Sequence, residues 1–382
     1  MIFTSQHPFI FIIYIMKKYS FYLVIIILFS CGGGQDNLLD GNNNSDSFDR
    51  SVLLTNLYDN TIIPAFENFQ THLNILSNNV NLLVNNTNQN TLSATREAWV
   101  DTYVAWQSVE IFSSYKAEEL SLSPLFNSYP CLENNINDKI NNNVTEIGPF
   151  NISILGTTGF PAIGFLIYGN DSITVINNFE NNGYSNYLLA LVENMTFNTN
   201  EVVNDWKNKR LDFINSNGNS ETSSLNVVTN DFLQYYEKRV REAKVATPID
   251  YRGLQLPRPD HVESYYHPII CKTLLSNAFQ SVKRFYTGES FLQNLDGIGL
   301  EDYLESLNGT TDLVNEINLQ IIDIESKISA LNDDFVQQLN DNPDELKELF
   351  LSMQMLVTRF KADMFSFIGV SPDYADNDGD GG

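Results

Sequence analysis

IIPAFENFQTHLNILSNNVNLL, residues 62–83, sets Ile62, Phe66, Phe69, Leu73, Leu76, Val80 and Leu83 at alternating steps of four and three. That spacing puts all seven on one face of an α-helix, with asparagine, glutamine and serine on the other. Working outward, Trp99, Tyr103 and Trp106 repeat the pattern in a second helix, for which Ser93 is the expected N-cap. Further helices are expected over 173–196, 201–215, 222–245, 260–286 and 300–307. Two long ones close the chain. One carries Leu313, Ile317, Ile321, Ile324, Ile328, Leu331 and Phe335. The other carries Leu346, Phe350, Met353, Val357, Phe360, Met364 and Phe367. Strand-like alternation is scarce, so the expected fold is all-α, built from antiparallel helical bundles.

Two segments interrupt this periodicity. Residues 120–170 hold Pro124, Pro130, Pro149 and Pro161 together with five glycines, and their aromatic content favours an ordered irregular segment. Residues 246–260 hold Pro248, Pro257 and Pro259. The second interruption divides the chain into an N-terminal bundle over 50–245 and a C-terminal bundle over 246–370, followed by an acidic tail, 371–382.

The N-terminus has the layout of an export signal. Lys17 and Lys18 precede an apolar stretch, Phe21 to Phe29, then Ser30 and Cys31. The stretch is far short of the roughly 20 residues that span a bilayer as a helix. Leu28-Phe29-Ser30-Cys31 resembles a lipobox, in which the signal is cut before a cysteine whose thiol is acylated. Residues 1–30 are therefore read as a signal peptide whose true start is Met16, because residues 1–15 place an apolar patch ahead of the basic pair. Cys31 is the lipidation site. Residues 31–49 form a disordered linker rich in Asn, Asp, Ser and Gly. The expected location is the bacterial cell envelope, at the outer membrane or a periplasmic face, with the membrane as a partner through the lipid.

The formal net charge is −25, and removing residues 1–30 leaves 20 basic against 47 acidic residues, or −27. Nucleic acid is excluded as a partner, since phosphate binding needs a basic footprint. Cys131 and Cys271 are left outside the lipidated cysteine, and a disulfide between them is permitted but not fixed by the sequence. There is no GxSxG, HExxH, P-loop or CxxC pattern.

Several segments together resemble one family. ATREAWVDTYVAWQSVEIF (94–112), FNSYPCLENNI (126–136), GFPAIGFLIYG (159–169) and RPDHVESYY (258–266) are similar, in this order, to the imelysin-like proteins, also classed as peptidase family M75. The resemblance implies a duplicated four-helix-bundle fold, a metal or active site at a GxHxxE motif, and a role in iron acquisition. The matching positions here are Gly159, Pro161 and Gly164: the glycine is kept, and proline and glycine replace histidine and glutamate. Neither replacement carries a side chain able to ligate metal or move a proton. Pro161 suits the first turn of a helix instead.

Remaining candidates for a cleft are Glu110, Arg258, His261, Glu263 and His267. Asp260 and Glu263 fit an N-cap and its reciprocal capping-box position. The functional alternative places Glu263 and His267 on one helix face. Glu110 follows the Trp99 face and, if buried, needs a partner, for which Arg258 or His261 are the candidates. His72 sits beside its apolar stripe, half-buried or exposed. Asp376, Asp378 and Asp380 open like a calcium loop but lack its closing glutamate. The leading expectation is a non-enzymatic binding or uptake accessory. Its cleft would be lined by 120–170 and 248–267, and it would meet a small ligand or protein partner in metal or haem uptake. The resemblance implies iron or another divalent metal as the cofactor. An M75-type metallopeptidase and a structural or adhesion protein are the alternatives. Convergence of Glu110, His261, Glu263 and His267 around one cavity would favour metal chemistry; dispersal would count against it.

Overall fold

The computed structural model describes residues 47–293 and 295–373. The expectations for the signal, Cys31, most of the linker and the acidic tail from 374 onward lie outside the described residues. Phe48–Gly382 forms a unit to itself, and its apolar core is drawn from its own helices.

The 62–83 stripe lies in α1, a continuous helix made of Arg50–Asn56, a π-helical stretch Leu57–Ile62, and Ile63–Asn85. All seven stripe residues are buried. Pro64 has no N–H, so the Asn60 carbonyl loses its usual donor four residues on. Phe291 N donates to it at 2.8 Å from far along the chain. A short turn folds the chain back into α2 (Gln89–Trp106). Asn88, not Ser93, caps this helix: its side chain accepts from the amides of Asn90 and Thr91, while Thr91 Oγ1 accepts from Asn88 N at 3.1 Å. Ser93 lies inside the helix.

The irregular segment is ordered. It contains α3 (Glu133–Asn141) and α4 (Gly159–Tyr168). Helix α5 (Asn182–Asn208) then packs along α1 and α4 and completes the first bundle. The expected 173–196 helix is in fact split, because Ser172–Asn178 ends before α5 begins.

Helix α6 comprises Ser224–Gln234 and the π-helical Tyr235–Ala246. It packs against α7 (Cys271–Thr287) and against α9, which runs through Pro343–Thr358, Arg359–Met364 and Phe365–Ile368. Helix α8 (Thr311–Ala330) closes this second bundle against α7 and α9. The π-helical part of α6, assigned from sequence to the N-terminal bundle, packs on α7 and α9. The expected 260–286 helix starts only at Cys271, because Pro259–His261 and Pro268–Ile270 form single 3₁₀ turns. No strand occurs among the described residues.

Candidate functional site

A cleft of about 490 Å³ opens where the segment after Tyr129, the first turns of α4 and the 260–266 segment meet. Its position follows from the start of α4. Thr158 Oγ1 donates to Leu125 O at 2.7 Å, and Gly159 turns the chain with φ +69°. A Cβ at Gly159 would lie 1.9 Å from the Phe126 carbonyl, so only glycine fits. Pro161 follows in the first helical turn, where a missing N–H costs nothing. Gly164 comes one turn later, and a Cβ there would sit 3.0 Å from Trp99 Cζ2. Trp99 is held in that place by its indole N–H, which donates to Phe160 O at 3.2 Å. Beside it Tyr103 and Phe160 stack with centroids 4.2 Å apart.

Pro161 and Gly164 both line the cleft. The residues present do not fit the metal that the resemblance implies. Pro161 and Gly164 offer no donor atom, and the indole of Trp99 crowds position 164, with Cζ2 3.0 Å from where a Cβ would stand.

Glu263 also lines the cleft, but its carboxylate is turned inward and is fully engaged. Oε2 is 2.5 Å from Lys244 Nζ, and Oε1 accepts from Asn127 Nδ2 at 2.8 Å and Gln107 Nε2 at 3.1 Å. Lys244 also donates to Gln107 Oε1 at 2.9 Å. Tyr103 OH donates to Asn127 Oδ1 at 2.6 Å, and Tyr235 and Ser281 hydroxyls reach the Gln107 carbonyl. Both ends of the ion pair are buried. This network corrects the capping-box reading: Asp260 lies in a 3₁₀ turn, Val262 is extended, and Glu263 caps nothing. Glu263 and His267 do not share a helix face.

The other sequence candidates disperse. Glu110 lies in a second cleft of about 650 Å³, away from the first. Its partners are Ser123 Oγ at 2.6 Å and Arg239 Nε at 3.6 Å, rather than Arg258 or His261. Arg258 reaches His261 Nε2 at 2.6 Å and Asp250 at 3.8 Å, while His261 Nδ1 is 3.0 Å from Asp260. His267 stacks on Tyr168 at 4.1 Å, and burial and then Arg96 hold its imidazole below the ordinary histidine range. His72 is half-buried. Among the described residues, no group of three or more His, Cys, Asp or Glu side chains is arranged to hold a metal.

Cys131 and Cys271 are both free thiols. Cys271 is enclosed in the core, and burial pushes it up to about 12. Cys131 lies on the cleft wall. Its Sγ is 3.0 Å from Tyr266 OH, which in turn donates to Glu133 Oε1 at 2.7 Å. Burial pushes the Cys131 thiol up to about 11. Cys131 reads from sequence only as structural, and Glu133 and Tyr266 carry no signal there, because two loops far apart in the chain bring the three together. The same is true of Gln107, Asn127 and Lys244.

No curated protein matches the sequence. Two solved structures share the fold. One is described as an iron-regulated protein A precursor from Parabacteroides distasonis ATCC 8503. It has a TM-score of 0.71 at 18% identity and covers 84% of this chain and 95% of its own. The other is an imelysin-like protein from Psychrobacter arcticum 273-4, with a TM-score of 0.68 at 15% identity, covering 85% of this chain and 97% of its own. The sequence profile of the imelysin family, peptidase M75, matches residues 62–357. That span takes in both bundles and the cleft between the 129–135 and 260–266 segments, and on it this chain belongs to the imelysin family.

Proposed function

We propose that this protein is a lipid-anchored accessory of iron acquisition at the bacterial cell envelope, one that binds its ligand and does not cleave peptides. The observation that carries the reading is the state of the family's motif positions. Pro161 and Gly164 cannot hold a hydrolytic metal, and Trp99 is packed against Gly164. Metal-assisted hydrolysis needs a bound ion with an open coordination position. The cleft itself persists, at about 490 Å³, within the range of small-ligand sites. The iron connection is supported by the family and by the description of the Parabacteroides relative as iron-regulated. The anchor is supported by the Lys17–Cys31 pattern alone.

The test uses the chain from Gln35 onward, which contains the whole Phe48–Gly382 unit. It is titrated with ferrous iron, ferric iron and haemin, and incubated in parallel with unstructured peptides and each metal. Saturable binding of one iron species with no peptide cleavage is expected. Metal-dependent cleavage, or failure of every iron species to bind, overturns the reading. The anchor is checked separately by incorporation of labelled fatty acid into the full chain, expected to vanish with Cys31→Ser.

A further inference from the structure

We propose that the second cleft, the one holding Glu110, binds a free α-amino acid, with Glu110 receiving its ammonium group and Trp106 and Arg239 its carboxylate. This cleft is separate from the one assigned to the iron ligand, and either can bind without the other.

The cleft, of about 650 Å³, is bounded by the turn that follows α2, the 117–124 segment and one side of α6. Its wall holds two buried polar atoms with no hydrogen-bond partner among the described residues, the indole Nε1 of Trp106 and Oε2 of Glu110. Both residues are almost wholly enclosed, at 1% and 3% exposed. Burial in that state is unfavourable unless something in the cleft supplies the partners. The two side chains lie together. Glu110 N donates to Trp106 O at 3.1 Å, which carries a helical turn past the end of α2. Side chains four residues apart on such a turn are neighbours, about 5–6 Å between Cβ atoms. Ser123 Oγ donates to Glu110 Oε1 at 2.6 Å and leaves Oε2 as the free corner of the carboxylate. Arg239 comes in from α6, with Nε 3.6 Å from Oε1, too far for a hydrogen bond.

The unpaired atoms select the ligand. An ionised carboxylate only accepts, and an indole N–H only donates. A ligand that meets both carries a donor and an acceptor close together, which a bare metal ion does not. The surrounding charge says how each end is charged. Glu110, Glu118, Asp231 and Asp373 line the cleft with Lys238 and Arg239, an excess of acid in a chain of net charge −25, and this favours a cation at Glu110. The guanidinium of Arg239, a planar fork suited to carboxylates, favours an anion beside that cation. An ammonium and a carboxylate on one carbon are the head group of an α-amino acid. A neutral polyol would satisfy the two unpaired atoms and leave this charge pattern unused. The apolar wall of Val109, Phe112 and Leu122 then faces the amino-acid side chain, and the volume is that of a small-ligand site.

The chain from Gln35 onward is titrated calorimetrically at neutral pH with each common α-amino acid in turn and with glucose. For each amino acid that binds, the titration is repeated with the matching acid lacking the amine and the matching amine lacking the carboxyl group. At least one amino acid is expected to bind with one-to-one stoichiometry, and both of its halves at least about tenfold more weakly. Glu110→Gln should weaken binding by about tenfold or more, the scale of one hydrogen bond to a charged group, and Trp106→Phe by about fivefold. Melts of the ligand-free variants check that each is folded. The unmodified chain gives a reading that needs no variant: the bound amino acid should slow amide hydrogen exchange in 106–124 and 227–239 and leave 129–135 and 260–266 unchanged. Failure of every amino acid to bind, equal binding of the amine alone or of glucose, or protection confined to 129–135 and 260–266 overturns the site. An affinity unchanged in both folded variants overturns it as well.

Discussion

Replacing Glu263 by Gln should be among the most damaging single changes in the protein, although the residue lines a cleft. Its carboxylate is matched by the Lys244 ammonium at 2.5 Å and by side-chain amides from Asn127 and Gln107, all buried. Removing one partner of a buried pair strands the other charge in a medium that solvates it poorly, at a cost of about 3–5 kcal/mol. In Glu263→Gln the Lys244 ammonium keeps Gln107 Oε1 at 2.9 Å and no counter-charge on Glu263. For a unit of about 335 residues the unfolding entropy is roughly 0.7 kcal/mol/K, so the melting temperature should fall by about 4–7 °C. Lys244→Met should cost a similar amount. The double variant Lys244→Met/Glu263→Gln leaves no stranded charge and should recover most of the loss, giving a coupling of a few kcal/mol in a double-mutant cycle. Thermal unfolding of the four proteins by circular dichroism at neutral pH measures this directly. If the single variants melt within about 1 °C of the parent, or the two losses add to within about 0.5 kcal/mol, the pair is not the coupled centre described.

Three further outcomes follow from named contacts. Gly159→Ala should destabilise by about 2–4 kcal/mol, because φ is +69° and the new Cβ meets the Phe126 carbonyl at 1.9 Å; denaturant melts check it. Asp231, buried and pushed up to about 6 mainly by desolvation, contributes stability that is fully present below about pH 4 and lost as pH rises through about 6. The difference in stability between Asp231→Asn and the parent should therefore move by up to about 3 kcal/mol in the variant's favour over that window, read from melts at a series of pH values. Restoring the family motif with Pro161→His/Gly164→Glu should cost about 1–3 kcal/mol by overpacking against Trp99, with no gain in zinc affinity by titration until Trp99 is also truncated.

Much of the fold is legible in sequence because helical periodicity is a local property. The Ile62–Leu83 stripe needs only its own spacing to declare a buried face. Boundaries were harder wherever two local signals competed. Ser93 looked like a cap, but Asn88 and Thr91, five and two residues earlier, make the reciprocal box. Asp260 and Glu263 have capping-box spacing, yet Pro259 and Pro268 confine the backbone there to isolated 3₁₀ turns. YYEKRVREAKVA (235–246) has the composition of a solvated helix, and its π-helical turns instead carry Arg241 and Lys244 into the interior. The site was less legible still. The absence of ligands at Pro161 and Gly164 could be read directly from the residues. That Trp99 packs at position 164 could not, because it reaches the cleft from a distant part of the chain.

The same network constrains how the cleft can work. Gln107 ends α2 of the first bundle, Asn127 belongs to the irregular segment, Lys244 and Tyr235 lie on α6, and Ser281 lies on α7 of the second. One buried ion pair and its hydrogen bonds thus tie both bundles and both cleft-forming loops at a single point beneath the cleft. Opening the cleft by rotating one bundle against the other would break the hydrogen bonds that Gln107 and Asn127 make to the buried Glu263–Lys244 pair, at a cost of about 1–3 kcal/mol for each group left unsatisfied. The outer wall of the cleft, where Leu132, Glu133 and Tyr265 are exposed, carries none of these hydrogen bonds. A floor fixed in this way suits a protein that binds with a preformed surface, since little ordering remains to be done when the ligand arrives.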